Sequence, residues 1–289
     1  MAAASAGQAG TPPTGTSGST NVSGGSASGG TSGGGTSGGG ASAGDQGAAG
    51  AYVLPPVGSC DQLPAAGVWE NVTPKGMSTR PAVNGTVASG IISDPLEPGR
   101  LWLGTSAENR EIWRSDNCGS TWTQINTGPG GIGNGTTVGG VGDGNQWSMQ
   151  ADPEVAGTLY ATSGYGAQGL WKTTDGGTSW KDVLLNTEYA RVAAYRFVNN
   201  VSLDPTNRQH LVVSTHGACA EPYAPNCIGE TKDGGNTWTT LKAPEEWVEG
   251  GGLIIVKDGL WLWCGTSLMV TPDGGKSWDK AALEGGGSC

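Results

Sequence analysis

The chain has 289 residues, of which 54 are Gly and 12 Trp, and a formal net charge of −10 with only 15 Lys and Arg. That balance argues against a protein that tracks a phosphate backbone, which needs a basic footprint. No apolar run approaches the ~18 residues of a membrane span, and Met1-Ala2-Ala3-Ala4-Ser5 has neither the basic nor the apolar region of a signal peptide.

Residues 1–51 are almost entirely Gly, Ser, Ala and Thr, with Asp45 their only charge before Tyr52. Such a stretch cannot bury enough apolar surface to fold, so it is expected to be a disordered tether to a domain at 52–289. A tether of this kind suits an exported or surface-anchored protein whose export signal lies upstream. A cytoplasmic protein with a dispensable tail is the alternative.

A strand–turn–strand unit then recurs. It reads Ile91-Ile92-Ser93-Asp94-Pro95 followed by Leu101-Trp102-Leu103-Gly104-Thr105. It returns around Asp152-Pro153 and Leu159-Tyr160-Ala161-Thr162-Ser163, and around Asp204-Pro205 and Leu211-Val212-Val213-Ser214-Thr215. The last copy, Ile254-Ile255-Val256 and Leu260-Trp261-Leu262-Trp263, turns on Asp258-Gly259.

Each unit is followed by Ser/Thr-x-Asp-x-Gly-x-Ser/Thr-Trp, in three clear copies and one with Asn. Their third positions are Asn117, Asp175, Asp233 and Asp273, and their last are Trp122, Trp180, Trp238 and Trp278. An Asp or Asn side chain can bond backbone N–H groups a few residues on, and Gly supplies positive φ, so each copy predicts a tight turn between strands. The Trp is read as an anchor buried against a neighbouring repeat. Intervals of 58, 58 and 40 residues between the third positions mark a structural repeat.

These eight-residue segments resemble the Asp-box, or BNR repeat, of sialidases, sortilin-type receptors, xyloglucanase-type glycoside hydrolases and photosystem II assembly factors. The resemblance implies an all-β chain of four-stranded antiparallel blades in a β-propeller, with the box on the turn between third and fourth strands. In those families the box is structural.

Four full blades start near residues 83, 137, 196 and 252, and Trp69-Glu70-Asn71-Val72 matches an outer strand such as Trp180-Lys181-Asp182-Val183. Closed propellers have about 4–8 blades. The expectation is four to five visible blades of an incomplete propeller, which a closed five-blade ring would refute.

The topology puts boxes and Asp-Pro turns at one end of the ring, and the remaining loops at the other, where propeller sites gather. Aromatic rings there can stack on the apolar face of a sugar while polar groups bond its hydroxyls. The expected binding residues are Arg80, Trp147, Tyr189, Arg191, Tyr195, Arg196, His216 and Trp247. Glycoside hydrolysis needs two carboxylates, and Asp143, Glu188, Glu245 and Glu246 are the candidates.

The run from Gly90 to Thr105, with Ile112-Trp113-Arg114, is similar to the opening blade of xyloglucanase-type enzymes. Where those carry a catalytic aspartate in Asp-x-Gly-Gly after the second strand, this chain has Ser106-Ala107-Glu108-Asn109. It also lacks the Arg-Ile-Pro of sialidases.

Six cysteines include no CxxC, so no metal or cofactor site is expected. Cys219 and Cys227 bracket a Pro-containing loop and are expected to form a disulfide. The pairing of Cys60, Cys118, Cys264 and Cys289 is open, as are free thiols in a reducing compartment. The function expected is recognition, extending to hydrolysis, of a polysaccharide or glycoconjugate outside the cell. A non-catalytic scaffold for an extracellular protein is the alternative.

Overall fold

The computed structural model describes residues 53–81, 88–131, 140–193, 196–247, 251–265 and 267–281. The proposed tether at 1–51, together with Tyr195 and Cys289, lies outside the described residues.

Among the described residues, sixteen strands form four separate four-stranded antiparallel sheets. The first holds β1 (Ala88–Ser93), β2 (Leu101–Thr105), β3 (Ile112–Ser115) and β4 (Thr123–Gln124). The second holds β5 (Met149–Ala151), β6 (Leu159–Ser163), β7 (Gly169–Thr173) and β8 (Lys181–Asp182). The third holds β9 (Val198–Asp204), β10 (Asn207–Thr215), β11 (Cys227–Thr231) and β12 (Thr239–Lys242). The fourth holds β13 (Gly252–Lys257), β14 (Leu260–Cys264), β15 (Leu268–Thr271) and β16 (Asp279–Lys280). Each sheet is a simple meander, because every connection is short enough for a hairpin.

The sheets stack in sequence order through their inner strands, β1 against β5, β5 against β9 and β9 against β13. Stacking explains the strand compositions. β6 and β11 are buried along their whole length, so both faces carry mostly small or apolar residues, with Glu230 of β11 the buried charge. β13 and β14 instead alternate between buried and more exposed positions, the pattern of a sheet packed on one face, and Ile254 and Val256 are exposed. Three apolar clusters fill the seams, with Trp102, Trp261, Trp263 and Tyr160 fully buried. Burying a large side chain is worth roughly 1.5–3 kcal/mol.

The four third-to-fourth-strand turns share one hydrogen-bond plan. In the second sheet the Asp175 carboxylate accepts from Thr173 Oγ1 (2.7 Å), Ser179 N (2.9 Å) and Ser179 Oγ (2.5 Å), and Thr173 Oγ1 accepts from Gly177 N (2.9 Å). The Thr231–Asp233–Gly235–Thr237 and Thr271–Asp273–Gly275–Ser277 sets repeat it. Asn117 keeps the plan with its amide, accepting from Thr121 N at 2.9 Å and donating to Thr121 Oγ1 at 3.0 Å.

Gly176 and Gly177, at φ 66° and 92°, hold consecutive left-handed conformations that glycine adopts without a Cβ penalty. The next residue type to occupy the first of these positions is Cys118, at φ 56°. Each turn also bonds the first hairpin of its own sheet, through Cys118 N to Gly99 O, Gly176 N to Gly157 O, Gly234 N to Gln209 O and Gly274 N to Gly259 O. Both kinds of turn therefore lie at one end of the stack, as the repeat pattern predicts.

Between sheets, the second turn glycine abuts the outer-strand region of the preceding sheet. Gly177 sits on Ile125, Gly235 on Val183 and Gly275 on Leu241, with no room for a Cβ beside Ile125. Trp180 and Trp238 are buried anchors, at 6% and 4% exposure. Trp122 and Trp278, expected in the core, are only half-buried; Trp122 belongs to the first sheet, which among the described residues has no preceding sheet to cover it, and Trp278 packs against the cluster between the third and fourth sheets. Trp122 Nε1 donates to Val72 O at 2.8 Å.

Before the first sheet one expectation changes and one open pairing is resolved. Trp69-Glu70-Asn71-Val72 forms no strand, and Trp69 is 96% exposed, because among the described residues no sheet edge receives it. Cys60, whose partner was open, is disulfide-bonded to Cys118 with Cα atoms 5.5 Å apart. That bond, Arg100 Nη2 to Pro55 O (2.6 Å) and Gly58 N to Asp116 O (2.7 Å) fasten residues 55–60 to the first sheet. Cys219 pairs with Cys227 as expected, and Cys264 is also disulfide-bonded.

Candidate functional site

At the end of the stack opposite the repeated turns, the second and third sheets bring four rings together. Trp147 enters on the loop before β5 and Tyr165 on the loop after β6. Phe197 precedes β9 and His216 follows β10. Trp147 stacks on Phe197 (centroids 5.3 Å, planes 26° apart) and meets Tyr165 and His216 edge-on, at 5.3 and 4.9 Å. Phe197 and His216 lie 4.4 Å apart, and Tyr165 Oη is hydrogen-bonded to His216 Nε2 at 3.1 Å.

Backbone and buried side chains fix these rings. The Asn145 and Gly164 backbones exchange both hydrogen bonds. The buried Gln146 amide donates to Val141 O and Gly144 O, pinning the loop that carries Trp147. Thr162 Oγ1 accepts from Ser148 N at 3.0 Å, and His216 N donates to Phe197 O at 2.7 Å. Gly164 is required beside Phe197, since a Cβ there would lie 2.2 Å from the ring. Arg110, at the end of the first sheet's loop, donates to Asn145 Oδ1 and Tyr165 O, both at 3.2 Å.

Beside the rings is an open hollow of about 410 Å³, lined by Trp147, Ser148, Asn199, Asn200, His216 and Gly252. Asn199 Oδ1 accepts from Ser214 Oγ (2.9 Å) and Asn200 Oδ1 from Leu253 N (3.2 Å), which fixes both amides at the edge of the hollow. None of these lining residues is a carboxylate. The arrangement offers ring faces, amide donors and an imidazole edge, a set suited to a polar ligand with an apolar face.

The other expected site residues scatter. Tyr189 is fully buried, and burial pushes its phenol well above the usual range. Trp247 is 2% exposed and stacks on Trp263 at 4.7 Å. Both were expected to bind ligand, and both serve the core, because the loops that carry them fold back onto the sheets. Glu188–Val192 forms a one-turn α-helix, α1, capped by Thr187, whose Oγ1 accepts from Ala190 N; it turns Tyr189 inward and leaves Glu188 and Arg191 exposed.

Arg196 forms an ion pair with Asp182 (3.2 Å) and donates to Gln168 O (3.1 Å), so it braces the frame. Burial raises the Asp182 carboxyl above its ordinary range, and Arg196 only partly offsets that. Arg80 pairs with Glu108 at the surface. Asp143 closes a short 3-10 turn, Val141–Asp143, and accepts from Gly140 N at 3.0 Å. Glu245 and Glu246 are exposed on a turn before Trp247.

Of the four rings in this cluster, Trp147 and His216 are among the binding residues expected from the sequence, and Tyr165 and Phe197 are not. Phe197 is the only Phe in the chain. Its position one residue before the third inner strand was the available signal, because Trp147 stands two residues before the second.

No family model matches the chain. A curated relative, a probable oligoxyloglucan-reducing end-specific xyloglucanase of Neosartorya fischeri, is 31% identical over 90 residues, 31% of this chain and 10% of the relative. A solved structure of an ancestral GH74 enzyme is similar over 71% of this chain at a TM-score of 0.51 and 14% identity. The GH74 xyloglucanase of Xanthomonas campestris is similar over 71% at a TM-score of 0.46 and 18% identity. The chain spans about a quarter of the ancestral enzyme and 32% of the Xanthomonas one. The fold is that of an all-β propeller built of four-stranded antiparallel blades, similar to those of glycoside hydrolases.

Proposed function

We propose that this chain is a propeller of the Asp-box type that recognises a glycan, and that the aromatic mouth between its second and third blades is the binding site. The observation that carries the reading is the Trp147–Tyr165–Phe197–His216 cluster beside a hollow edged by the Asn199 and Asn200 amides. Rings that stack on C–H faces and amides that bond hydroxyls suit a neutral sugar. The likeness to xyloglucanases favours a β-glucan backbone such as xyloglucan.

Recognition is preferred to hydrolysis at this hollow because none of the described residues lining it is a carboxylate. If the protein hydrolyses glycans, Asp143, on the loop leading to Trp147, and Glu188, Glu245 and Glu246 are the carboxylates to test. Export is supported by oxidised cysteines, with none free among the described residues. No helix among those residues is long and apolar enough to cross a membrane.

Isothermal titration of xyloglucan oligosaccharides, cello-oligosaccharides and sialyllactose tests the reading. Saturable binding of a neutral β-glucan, weakened in Trp147→Ala and retained in Arg191→Ala, is expected. Preference for the sialylated sugar, or affinity unchanged in Trp147→Ala, would overturn it.

A further inference from the structure

His210 stands in the first hairpin of the third blade and is 3% exposed. Both its ring nitrogens face carboxylates, Nδ1 lying 2.9 Å from Asp204 Oδ2 and Nε2 3.0 Å from Glu230 Oε1. Asp258, exposed on the β13–β14 turn of the fourth blade, completes a set with Asp204 and His210 whose ligand atoms all lie within 4.8 Å of one another. We propose that Asp204, His210 and Asp258 form a divalent-cation site, suited to Zn²⁺, that clasps the third blade to the fourth.

Three independent features support the assignment. The first is spacing. Two ligands at about 2.1 Å from one ion stand roughly 2.9–3.4 Å apart for angles from 90° to tetrahedral. Asp204 and His210 already hold that spacing, and the carboxylate of Asp258, on an exposed turn, lies within 4.8 Å of both. The second is outer support. A metal-bound histidine usually gives its other N–H to a carboxylate, which fixes ring and tautomer, and Glu230 is placed to accept from Nε2.

The third is charge. Asp204, Glu230 and Asp258 carry −3, and Lys232, 3.3 Å from Glu230, adds +1. With neutral His210 the sum is −2, which a dication balances. An imidazole ligand favours zinc or nickel over calcium. No free thiol among the described residues competes for such an ion.

The test is calorimetric titration of Zn²⁺ into EDTA-treated full chain without a polyhistidine tag, at pH 7.5, with thermal unfolding alongside. One equivalent is expected to bind and to raise the unfolding midpoint, since the cation holds only the folded state. Asp258→Asn, at an exposed turn, is expected to fold with an unchanged metal-free midpoint and to bind zinc at least about tenfold more weakly. Asp279→Asn, an exposed change elsewhere on the same blade, is expected to leave affinity unchanged. No saturable single site in the parent chain, or equal affinity in Asp258→Asn, would overturn the proposal.

Discussion

The two ends of this propeller are built on opposite principles. At one end four turns repeat the same bonds, from a carboxylate or amide to a hydroxyl and N–H four residues on, and from a turn N–H to the neighbouring hairpin carbonyl. At the other end no two blades agree. The second and third meet in an aromatic cluster, the first contributes Arg110, and the turn before Trp247 folds its indole onto Trp263. Repetition marks what every blade must do to stack, and its absence marks where a single blade does something of its own. A sharp test of that contrast exchanges roles between the ends.

The largest effect is expected from Trp180→Ala at the repeated end. It empties a buried site between the first two blades and should cost about 3–5 kcal/mol, read as a lower urea midpoint. Trp147→Ala at the mouth should cost far less stability but weaken glycan binding by tenfold or more, about 1.4 kcal/mol. Equal stability losses in the two variants would erase the distinction.

Most of the repeated end was legible in the sequence, because a turn needing a side-chain acceptor, two left-handed residues and an anchor admits few residue types. Asn117 and Cys118 show how far that tolerance reaches. Burial of Trp122 was misjudged because a repeat reports what each blade is like, and not what covers the first blade of the array. At the mouth, Tyr189 and Trp247 resemble exposed loop aromatics in sequence; only the one-turn helix and the stacking on Trp263 turn them inward. The Asp204–His210–Glu230 arrangement was hidden for a similar reason, since cross-strand register, not spacing along the chain, joins its members.

Acid should act first at the repeated end. The Asp273 carboxyl is held down to about 2 by bonds from the Ser277 hydroxyl, the Ser277 N–H and Thr271. For Asp175 and Asp233 burial alone would raise the carboxyl, and the same kinds of bonds outweigh it. A carboxylate depressed in the folded state stabilises above its unfolded pKa, near 4, and loses that contribution as pH falls through the folded value. Unfolding midpoints should therefore drop between about pH 4 and 2. The drop should be shallower in Asp273→Asn, whose amide copies Asn117 and cannot titrate.

His210 should act in the opposite direction. Burial lowers its pKa, but the bonds to Glu230 and Asp204 outweigh burial and leave it raised. Its contribution is complete below the unfolded pKa, near 6.5, and is lost as pH rises through the folded value. In EDTA the parent chain should lose more stability between pH 6 and 8.5 than His210→Gln. The smallest effect belongs to the surface pair of Arg80 and Glu108, where Arg80→Ala should change stability by less than about 0.5 kcal/mol, measured by urea unfolding.

The most direct test of the account is hydrogen exchange of the full chain with and without xyloglucan oligosaccharide. Slowed exchange at 145–148, 197–200 and 216, with the four repeated turns unchanged, is the predicted result. Protection confined to the repeated turns, or spread evenly over both ends, would contradict the division of labour on which the proposed function rests.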